Sequence, residues 1–181
     1  MRVIAGKYRS RLLKEICNEN TRPTTDKNKE TIFNTLGQFF DGGIVLDLFS
    51  GTGSLGIEAL SRGMHYAYFC ELNDTTYEVL KQNINSLKIE NCTVHHGPYK
   101  DFLNKYSNIK FDLVMLDPPY KIFDEVEQIL KFMLKNNMFK KDCQVLLEMP
   151  KEKNYIPEGF TYLKEKIGAA SRFVFLRYEG E

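Results

Sequence analysis

The stretch Ile44-Val45-Leu46-Asp47-Leu48-Phe49-Ser50-Gly51-Thr52-Gly53-Ser54-Leu55-Gly56 decides the fold of this chain. Its apolar first half is typical of a buried β-strand, and the residues after it change to the spacing of a helix. Glycines at positions 51 and 53 allow the backbone between the two elements to approach a ligand closely. A strand, a glycine-rich turn and a helix in this order predict the nucleotide-binding start of a parallel α/β sheet.

The same loop, from Gly51 to Gly56, matches the dinucleotide fingerprint G-x-G-x-x-G, but a single match is weak evidence. Asp47 argues against NAD, because its carboxylate would repel a pyrophosphate. The ammonium group of S-adenosylmethionine, in contrast, can be held by such a carboxylate directly or through water. Glu71 ends the next strand-like run, 20 positions after Gly51, at the spacing where a carboxylate meets ribose hydroxyls. The sequence therefore favours S-adenosylmethionine over NAD.

A second motif, Asp117-Pro118-Pro119-Tyr120, follows the apolar run at 111–116. The Asp117 carboxylate can accept a hydrogen bond from an exocyclic amino group, and the Tyr120 ring offers a face on which a base can stack. Pro118 has no N–H, and its fixed φ helps to aim the local carbonyl groups at the same amine. A turn that closes a strand is the alternative interpretation of the motif taken alone. Together with the Asp47 loop, the motif indicates methyl transfer to a nucleobase nitrogen.

Strand-like and helical segments alternate along the rest of the chain. Strands are predicted near 44–49, 66–71, 92–96, 111–116 and 143–148, helices near 54–62, 74–87, 98–106 and 122–136, and two closing strands at 160–166 and 172–178. We therefore predict an α/β, Rossmann-like class I S-adenosylmethionine-dependent methyltransferase fold, with a mostly parallel sheet and an antiparallel closing strand. Residues 1–42 are expected to form a basic N-terminal arm and a helix that pack on a catalytic domain at 43–181.

The composition is typical of one soluble domain, with 181 residues of which 43% are hydrophobic and 27% charged. The sequence shows neither a secretory h-region nor a run of about 18 apolar residues, so we expect a cytoplasmic protein. The four cysteines show no C-x-x-C pairing and are predicted to be free thiols. His95 and His96 would point to opposite faces of a strand, and no further ligands accompany them, so no metal site is predicted.

Basic residues are concentrated at the front of a chain whose net charge is only +1. The first 40 residues contain eight Lys or Arg and four acidic residues. Arg2, Lys7, Arg9 and Arg11, interleaved with Tyr8, suit contacts with the phosphate groups of a nucleic acid. A solvated, poorly packed terminus is the alternative, and we favour nucleic-acid binding.

The chain resembles the RsmD family, bacterial methyltransferases that modify guanine N2 in 16S ribosomal RNA. The resemblance covers essentially the whole chain, because the arm at 2–9, the segment Arg22-Pro23-Thr24-Thr25-Asp26, the Asp47 loop and the Asp-Pro-Pro-Tyr motif occur in the family's order. It implies a target-base site, a cofactor site and RNA contacts. The implied target-base site comprises Asp117, Pro118 and Tyr120. The implied S-adenosylmethionine site comprises Asp47, Phe49, Gly51, Gly53, Glu71 and Tyr99. The implied RNA contacts are Arg2, Lys7, Arg9, Arg11, Arg22 and Thr24.

Two positions depart from the family's pattern. An acidic residue usually stands near the end of the third core strand, where it can meet the adenine amino group, but this chain has His96-Gly97-Pro98-Tyr99 there. Pro98 cannot make that bond, so the adenine contact must come from a backbone group or from elsewhere. Lys27 and Lys29 stand where arginines are common, which keeps the charge but loses the bidentate fork.

The resemblance implies a cytoplasmic, S-adenosylmethionine-dependent rRNA (guanine-N2)-methyltransferase, which we expect to be a monomer. Its partner would be 16S rRNA in the small ribosomal subunit or in an assembly intermediate. We hypothesise that the guanine flips out of the RNA, stacks on Tyr120, and donates from N2 to the Asp117 carboxylate and the Pro118 carbonyl. Two alternatives stay open: a DNA adenine-N6 methyltransferase, for which this chain offers little outside its core to recognise a DNA sequence, and a noncatalytic RNA-binding module on the same fold.

Overall fold

A mixed, seven-stranded sheet forms the centre of the molecule in a computed structural model that describes residues 1–16, 25–168 and 171–180. The strands are β1 Ile44–Asp47, β2 Tyr66–Glu71, β3 Cys92–His96, β4 Phe111–Leu116, β5 Phe139–Pro150, β6 Phe160–Ile167 and β7 Ser171–Tyr178. Their order is β3-β2-β1-β4-β5-β7-β6, with β1 to β5 parallel and β7 antiparallel to both of its neighbours. The predicted methyltransferase-type sheet with an antiparallel closing strand is thus confirmed.

Helices cover both faces of this sheet. They are α1 Asp26–Leu36, α2 Ser54–Ser61, α3 Asp74–Ser86, α4 Tyr99–Lys105 and α5 Val126–Lys135, and a 3₁₀ helix, Tyr120–Glu125, precedes α5. Apolar side chains of α1, α2 and α3 pack on one face, which we name the α1 face, and those of α4 and α5 pack on the other, the α5 face. None of the helices in the described part of the chain is both long and apolar enough to cross a membrane.

Three predicted elements differ from the structure by two or more residues at an end. The first strand stops at Asp47 instead of 49, because the chain turns at Ser50, whose N–H donates to the Cys70 carbonyl. The strand expected at 143–148 is the middle of a longer strand, β5, whose first residue already pairs with Phe111 of β4. The helix expected at 122–136 begins earlier, as the 3₁₀ helix after Pro119.

Residues 1–16 are packed against the core. Arg2 and Leu12 form an antiparallel bridge, and Val3 and Leu13 are buried in the same apolar cluster as Phe33 of α1. The alternative of a poorly packed terminus therefore does not describe these residues. The ring of Tyr8 is also buried, so it cannot provide an exposed stacking face. The division of the chain at residue 42 stays a prediction.

A buried cluster of three charged side chains fixes the arm to α2. The carboxylate of Glu58 accepts hydrogen bonds from the N–H groups of Ile4 (2.9 Å) and Ala5 (3.1 Å). It also accepts from Arg62 Nε at 2.8 Å and lies 3.4 Å from Lys29 Nζ. Burial lowers the pKa of the Lys29 ammonium, and the charge of Glu58 opposes this shift. Lys29, Glu58 and Arg62, which we call the Glu58 cluster, therefore link the arm, α1 and α2.

Substituting Glu58→Gln should lower the free energy of unfolding by roughly 3 to 5 kcal/mol, because Lys29 and Arg62 would be left buried without a negative partner. Urea unfolding measures this loss, and trypsin digestion should show faster cleavage in the arm after Lys7 and Arg9. Glu30→Gln, on the exposed side of α1, is the matched control and should leave both unchanged. Equal stability of Glu58→Gln and wild type would show that the cluster does not hold the arm.

Candidate active site

Four neighbouring strands present a carboxylate at the same edge of the sheet. Asp47 and Glu71 are the last residues of β1 and β2, Asp117 directly follows β4, and Glu148 lies near the end of β5. Side chains alternate between the two faces of a strand. The residues two positions before these carboxylates belong to the apolar cluster of the α1 face, namely Val45, Phe69, Met115 and Leu146. The four carboxylates therefore lie on the α1 face as well.

The strand register sets the order of these side chains. Asp47 is opposite Phe69 of β2 and Met115 of β4, so Glu71 and Asp117 lie two positions beyond it on either side. Leu116 of β4 is opposite Leu147 of β5, which brings the next pair, Asp117 and Glu148, side by side. Laterally paired residues in a sheet have side chains close enough to interact.

Asp47 is buried at the base of this site, with 2% of its surface exposed. Its Oδ2 accepts a hydrogen bond of 3.0 Å from the N–H of Gly56, in the first turn of α2. Burial raises the pKa of Asp47 to about 7, the bond from Gly56 lowers it, and the charge of Glu71 raises it further. A Cβ at Gly56 would lie 2.3 Å from the Phe69 ring, so only glycine lets α2 come this close to the sheet.

The loop after Asp47 is held by Ser50 and shaped by Gly53. The Ser50 hydroxyl donates to the Asp47 carbonyl at 2.7 Å and accepts from the N–H of Cys70 at 2.8 Å. Gly53 has a φ of 87°, and a Cβ there would lie 2.4 Å from Leu80. Glycine meets both requirements, so Leu80 can pack directly against the backbone of the loop.

The carboxylate of Glu71 is fixed by two backbone N–H groups. Its Oε2 accepts from Gly51 at 2.9 Å and its Oε1 from Asn73 at 2.7 Å. Burial raises the pKa of Glu71, and these hydrogen bonds oppose the shift. Each carboxylate oxygen has a second lone pair, so an oriented Glu71 can still accept two hydroxyl groups.

Asp117 lies in an acidic environment. Burial raises its pKa well above the usual range, and repulsion from Glu148, a hydrogen bond to Glu148 and repulsion from Asp47 add to the shift. Glu148 in turn accepts a hydrogen bond from the hydroxyl of Ser171 in β7. Within the described ranges, no group of three or more His, Cys, Asp or Glu side chains is arranged to hold a metal ion.

Three aromatic side chains, Phe49, Tyr99 and Tyr120, follow β1, β3 and β4 at the same edge of the sheet. The rings of Phe49 and Tyr99 are in contact, with centroids 5.6 Å apart, and the Tyr99 hydroxyl donates to Glu125. Tyr120 is 55% exposed at the start of the 3₁₀ helix, whereas Pro118 is buried. An exposed ring three residues after Asp117 has the geometry of a stacking platform.

His96 and Pro98 lie at the end of β3 and just after it, in the region where an acidic residue was expected from the resemblance to the RsmD family. His96 is paired with Glu71 across the sheet and stacks on the ring of Tyr77 at 4.0 Å. Its Nε2 lies 2.9 Å from Asp74. Pro98 is exposed at the start of α4 and offers no side-chain acceptor.

The predicted RNA contacts of the arm lie at different edges of the sheet. Arg2 is mostly exposed and is paired with Asp26 at the start of α1. Lys7 is beside Gly42 and His65, which precede β1 and β2, so it lies at the edge opposite the carboxylates. Arg9 and Arg11 are exposed. Arg22 and Thr24 lie outside the described residues.

Several residues at this edge were not predicted from the sequence. Glu148 completes the row of carboxylates and accepts from Ser171, and Lys151, Lys153 and Arg172 line an open cavity of about 380 Å³ beside the end of β5. A signal for Glu148 was present, because the run Val145-Leu146-Leu147-Glu148 is a further apolar strand that reaches a carboxylate. Nothing in the local sequence indicates Ser171. The assignments of individual residues to cofactor, base and RNA stay predictions.

Comparisons with known proteins agree with this architecture. A protein-family model described as conserved hypothetical protein 95 matches residues 1–177. The chain is similar to ribosomal RNA small subunit methyltransferase D of Haemophilus influenzae, with 41% identity over 92% of this chain and 88% of that protein. A crystal structure from Haemophilus influenzae is 36% identical, covers 99% of this chain and 98% of that one, and gives a TM-score of 0.82. A tRNA m1G37 methyltransferase of M. jannaschii shares the fold alone, with 14% identity, 89% and 51% coverage and a TM-score of 0.65.

Substituting Asp47→Asn should stabilise the ligand-free protein, and more so at high pH. Between the ordinary pKa of 3.8 and about 7, the folded protein keeps a proton on Asp47 that the unfolded chain has released. The wild-type free energy of unfolding therefore falls as the pH rises, by about 1.4 kcal/mol per unit for this group. The amide oxygen of the variant can still accept from Gly56.

Denaturant unfolding of both proteins from pH 4 to pH 8 measures the difference, with Asp101→Asn, an exposed carboxylate on α4, as the control. A stability difference between Asp47→Asn and wild type that does not change with pH would contradict the shifted titration.

Proposed function

We propose, since this chain belongs to the RsmD family of ribosomal RNA small subunit methyltransferases, that it transfers the methyl group of S-adenosylmethionine to the exocyclic N2 amine of a guanine in 16S rRNA. The observation that carries the proposal is the register that sets Asp117 beside the Asp47 loop, on one face of the sheet. A turn that only closes a strand would not require its carboxylate to be kept in such an acidic environment.

The residues at the edge of β1 and β2 fit the chemistry of S-adenosylmethionine. Its sulfonium supplies an activated methyl group. Asp47 and Asp117 provide negative charge for a cationic ligand, and Glu71 has lone pairs left for ribose hydroxyls. A Cβ at Gly51 would meet no atom within 4 Å, so the space beside this part of the loop is open to a ligand. Phe49 and Tyr99, whose rings are in contact, are proposed to complete the cofactor site.

Asp117, Pro118 and Tyr120 are proposed to hold the target base. A guanine that flips out of the RNA would stack on the exposed ring of Tyr120 and donate from N2 to the Asp117 carboxylate and the Pro118 carbonyl. These bonds would orient the nitrogen toward the methyl group for in-line displacement. Because the methyl donor already carries a good leaving group, positioning supplies most of the catalysis.

Basic side chains on two surfaces are proposed to bind the RNA backbone. The arm exposes Arg2, Lys7, Arg9 and Arg11, and the cavity beside β5 adds Lys151 and Lys153 near the end of the strand that carries Glu148. Phosphate contacts of this kind position a protein on its nucleic acid. Contacts at both edges of the sheet need a broad substrate, so we propose that the protein acts on the small ribosomal subunit or on an assembly intermediate. We also propose that it acts in the cytoplasm and as a monomer.

The function is tested by measuring labelled methyl transfer from S-adenosylmethionine to small subunits that lack the modification, to naked 16S rRNA and to DNA. We expect N2-methylguanosine in the nucleoside analysis of the subunits. N6-methyladenine from DNA would instead support a DNA adenine-N6 methyltransferase. Failure to bind S-adenosylmethionine in calorimetry would support a noncatalytic RNA-binding module.

Substituting Asp117→Ala should reduce the rate of methyl transfer by roughly 100-fold or more, because the amine would lose the group that orients it. Binding of S-adenosylmethionine should change far less, which calorimetry would measure. Asp41→Ala, an exposed carboxylate just before β1, is the matched control and should transfer methyl groups at the wild-type rate. If Asp117→Ala keeps most of the wild-type turnover, Asp117 does not hold the amine.

A further inference from the structure

Glu148 occupies a position that the target-base motif does not explain. Leu147, the residue before it, is paired with Leu116, so Glu148 lies beside Asp117 on the neighbouring strand. It is partly buried on the α1 face, and its Oε1 accepts a hydrogen bond from the hydroxyl of Ser171 in β7. The Glu148 side chain is thus fixed on one side by Ser171 and meets Asp117 on the other.

Asp117 and Glu148 lie within hydrogen-bond reach of one another, and two carboxyl groups so placed can bond only when a proton lies between them. An ionised carboxylate only accepts hydrogen bonds, so one member of the pair has to be the donor. Two like charges at such a distance also repel strongly, which favours the state with one proton. The Ser171 hydroxyl donates to Glu148, so Glu148 is already the acceptor of one hydrogen bond.

The other charged groups around the pair act in the same direction. Asp47 faces Asp117 from β1, and Glu71 lies beyond Asp47 on β2. From β7, Ser171 contributes only its hydroxyl, and Arg172 points to the opposite face, where it pairs with Glu165. Among the described residues, those that face the pair from β1, β2 and β7 are acidic or hydroxyl side chains, which favours retention of the shared proton in the ligand-free protein.

We propose that Glu148 is a positioning residue for the proposed methyl transfer: it shares one proton with Asp117 and thereby turns the free oxygen of Asp117 toward the target amine. The inference rests on the proposed function. During transfer, the N2 nitrogen bonds to the methyl carbon, the sulfur–carbon bond breaks with its electron pair left on sulfur, and N2 must release a proton. A pair with one proton and one negative charge can accept this proton and become neutral.

Glu148→Gln tests the proposal. Its amide can donate to Asp117 and keep the shape of the contact, but it removes the charge that holds the proton. We expect a rate of methyl transfer at least about 10-fold lower at neutral pH, and loss of the alkaline limb that release of the shared proton gives the wild-type pH–rate profile, since Asp117 alone has no carboxyl partner with which to share a proton. Glu127→Gln, an exposed carboxylate on α5, is the matched control and should match wild type.

A second measurement needs no activity and no variant at Glu148. In ligand-free wild type labelled with ¹³C at the carboxyl groups, the signals of Asp117 and Glu148 should both titrate in two coupled steps. Asp117→Asn assigns the pair and should leave Glu148 with a single step. Two independent one-step titrations in wild type, or an unchanged pH profile in Glu148→Gln, would overturn the role of Glu148. Absence of methyl transfer by wild type would instead contradict the proposed function.

Discussion

The parallel register of β2, β1, β4 and β5 is the constraint on which the candidate site depends. Each of these strands has an apolar run that leads to a carboxylate at the same edge. Parallel pairing places equivalent ends of strands together, and ligands bind at this edge in open α/β sheets. Four carboxylates on one face then lower the cost of binding a cation and raise the cost of binding an anion. Such an edge suits a sulfonium and an ammonium better than a pyrophosphate.

Concentrated negative charge has a cost in stability, which the rest of the structure offsets. Asp47 is bonded to Gly56, Glu71 to Gly51 and Asn73, and Glu148 to Ser171. Each of these donors also ties a different loop or strand to the edge, so the site and the fold support one another. The raised pKa of Asp47 and Asp117 indicates that part of the cost remains.

The arm depends on a second, separate set of buried charges. Glu58 binds the backbone of Ile4 and Ala5 while it neutralises Lys29 and Arg62. From the sequence, Lys29 was noted only as a lysine at a position where arginines are common, and Glu58 carried no prediction. Both are fully buried, because the arm and α1 cover them from the side opposite the sheet. A basic terminal segment can therefore be an integral part of the fold while its exposed arginines remain available to a nucleic acid.

The sequence by itself determined the strand, glycine loop and helix around Asp47 and the alternation of strands and helices. These features follow from local patterns of apolar residues, with periods near 2 and 3.6, and from the glycines of the loop. The antiparallel direction of the closing strand was predicted from the known plan of methyltransferase sheets, not from a local pattern. The sequence also predicted a carboxylate, Asp117, and an aromatic ring, Tyr120, for the target-base site. Only the tertiary structure decided that Glu148 meets Asp117, that Ser171 fixes Glu148, and that Asp47 titrates near neutral pH. The physical reason is that contact and burial depend on the register of strands far apart in the chain, which no local pattern contains.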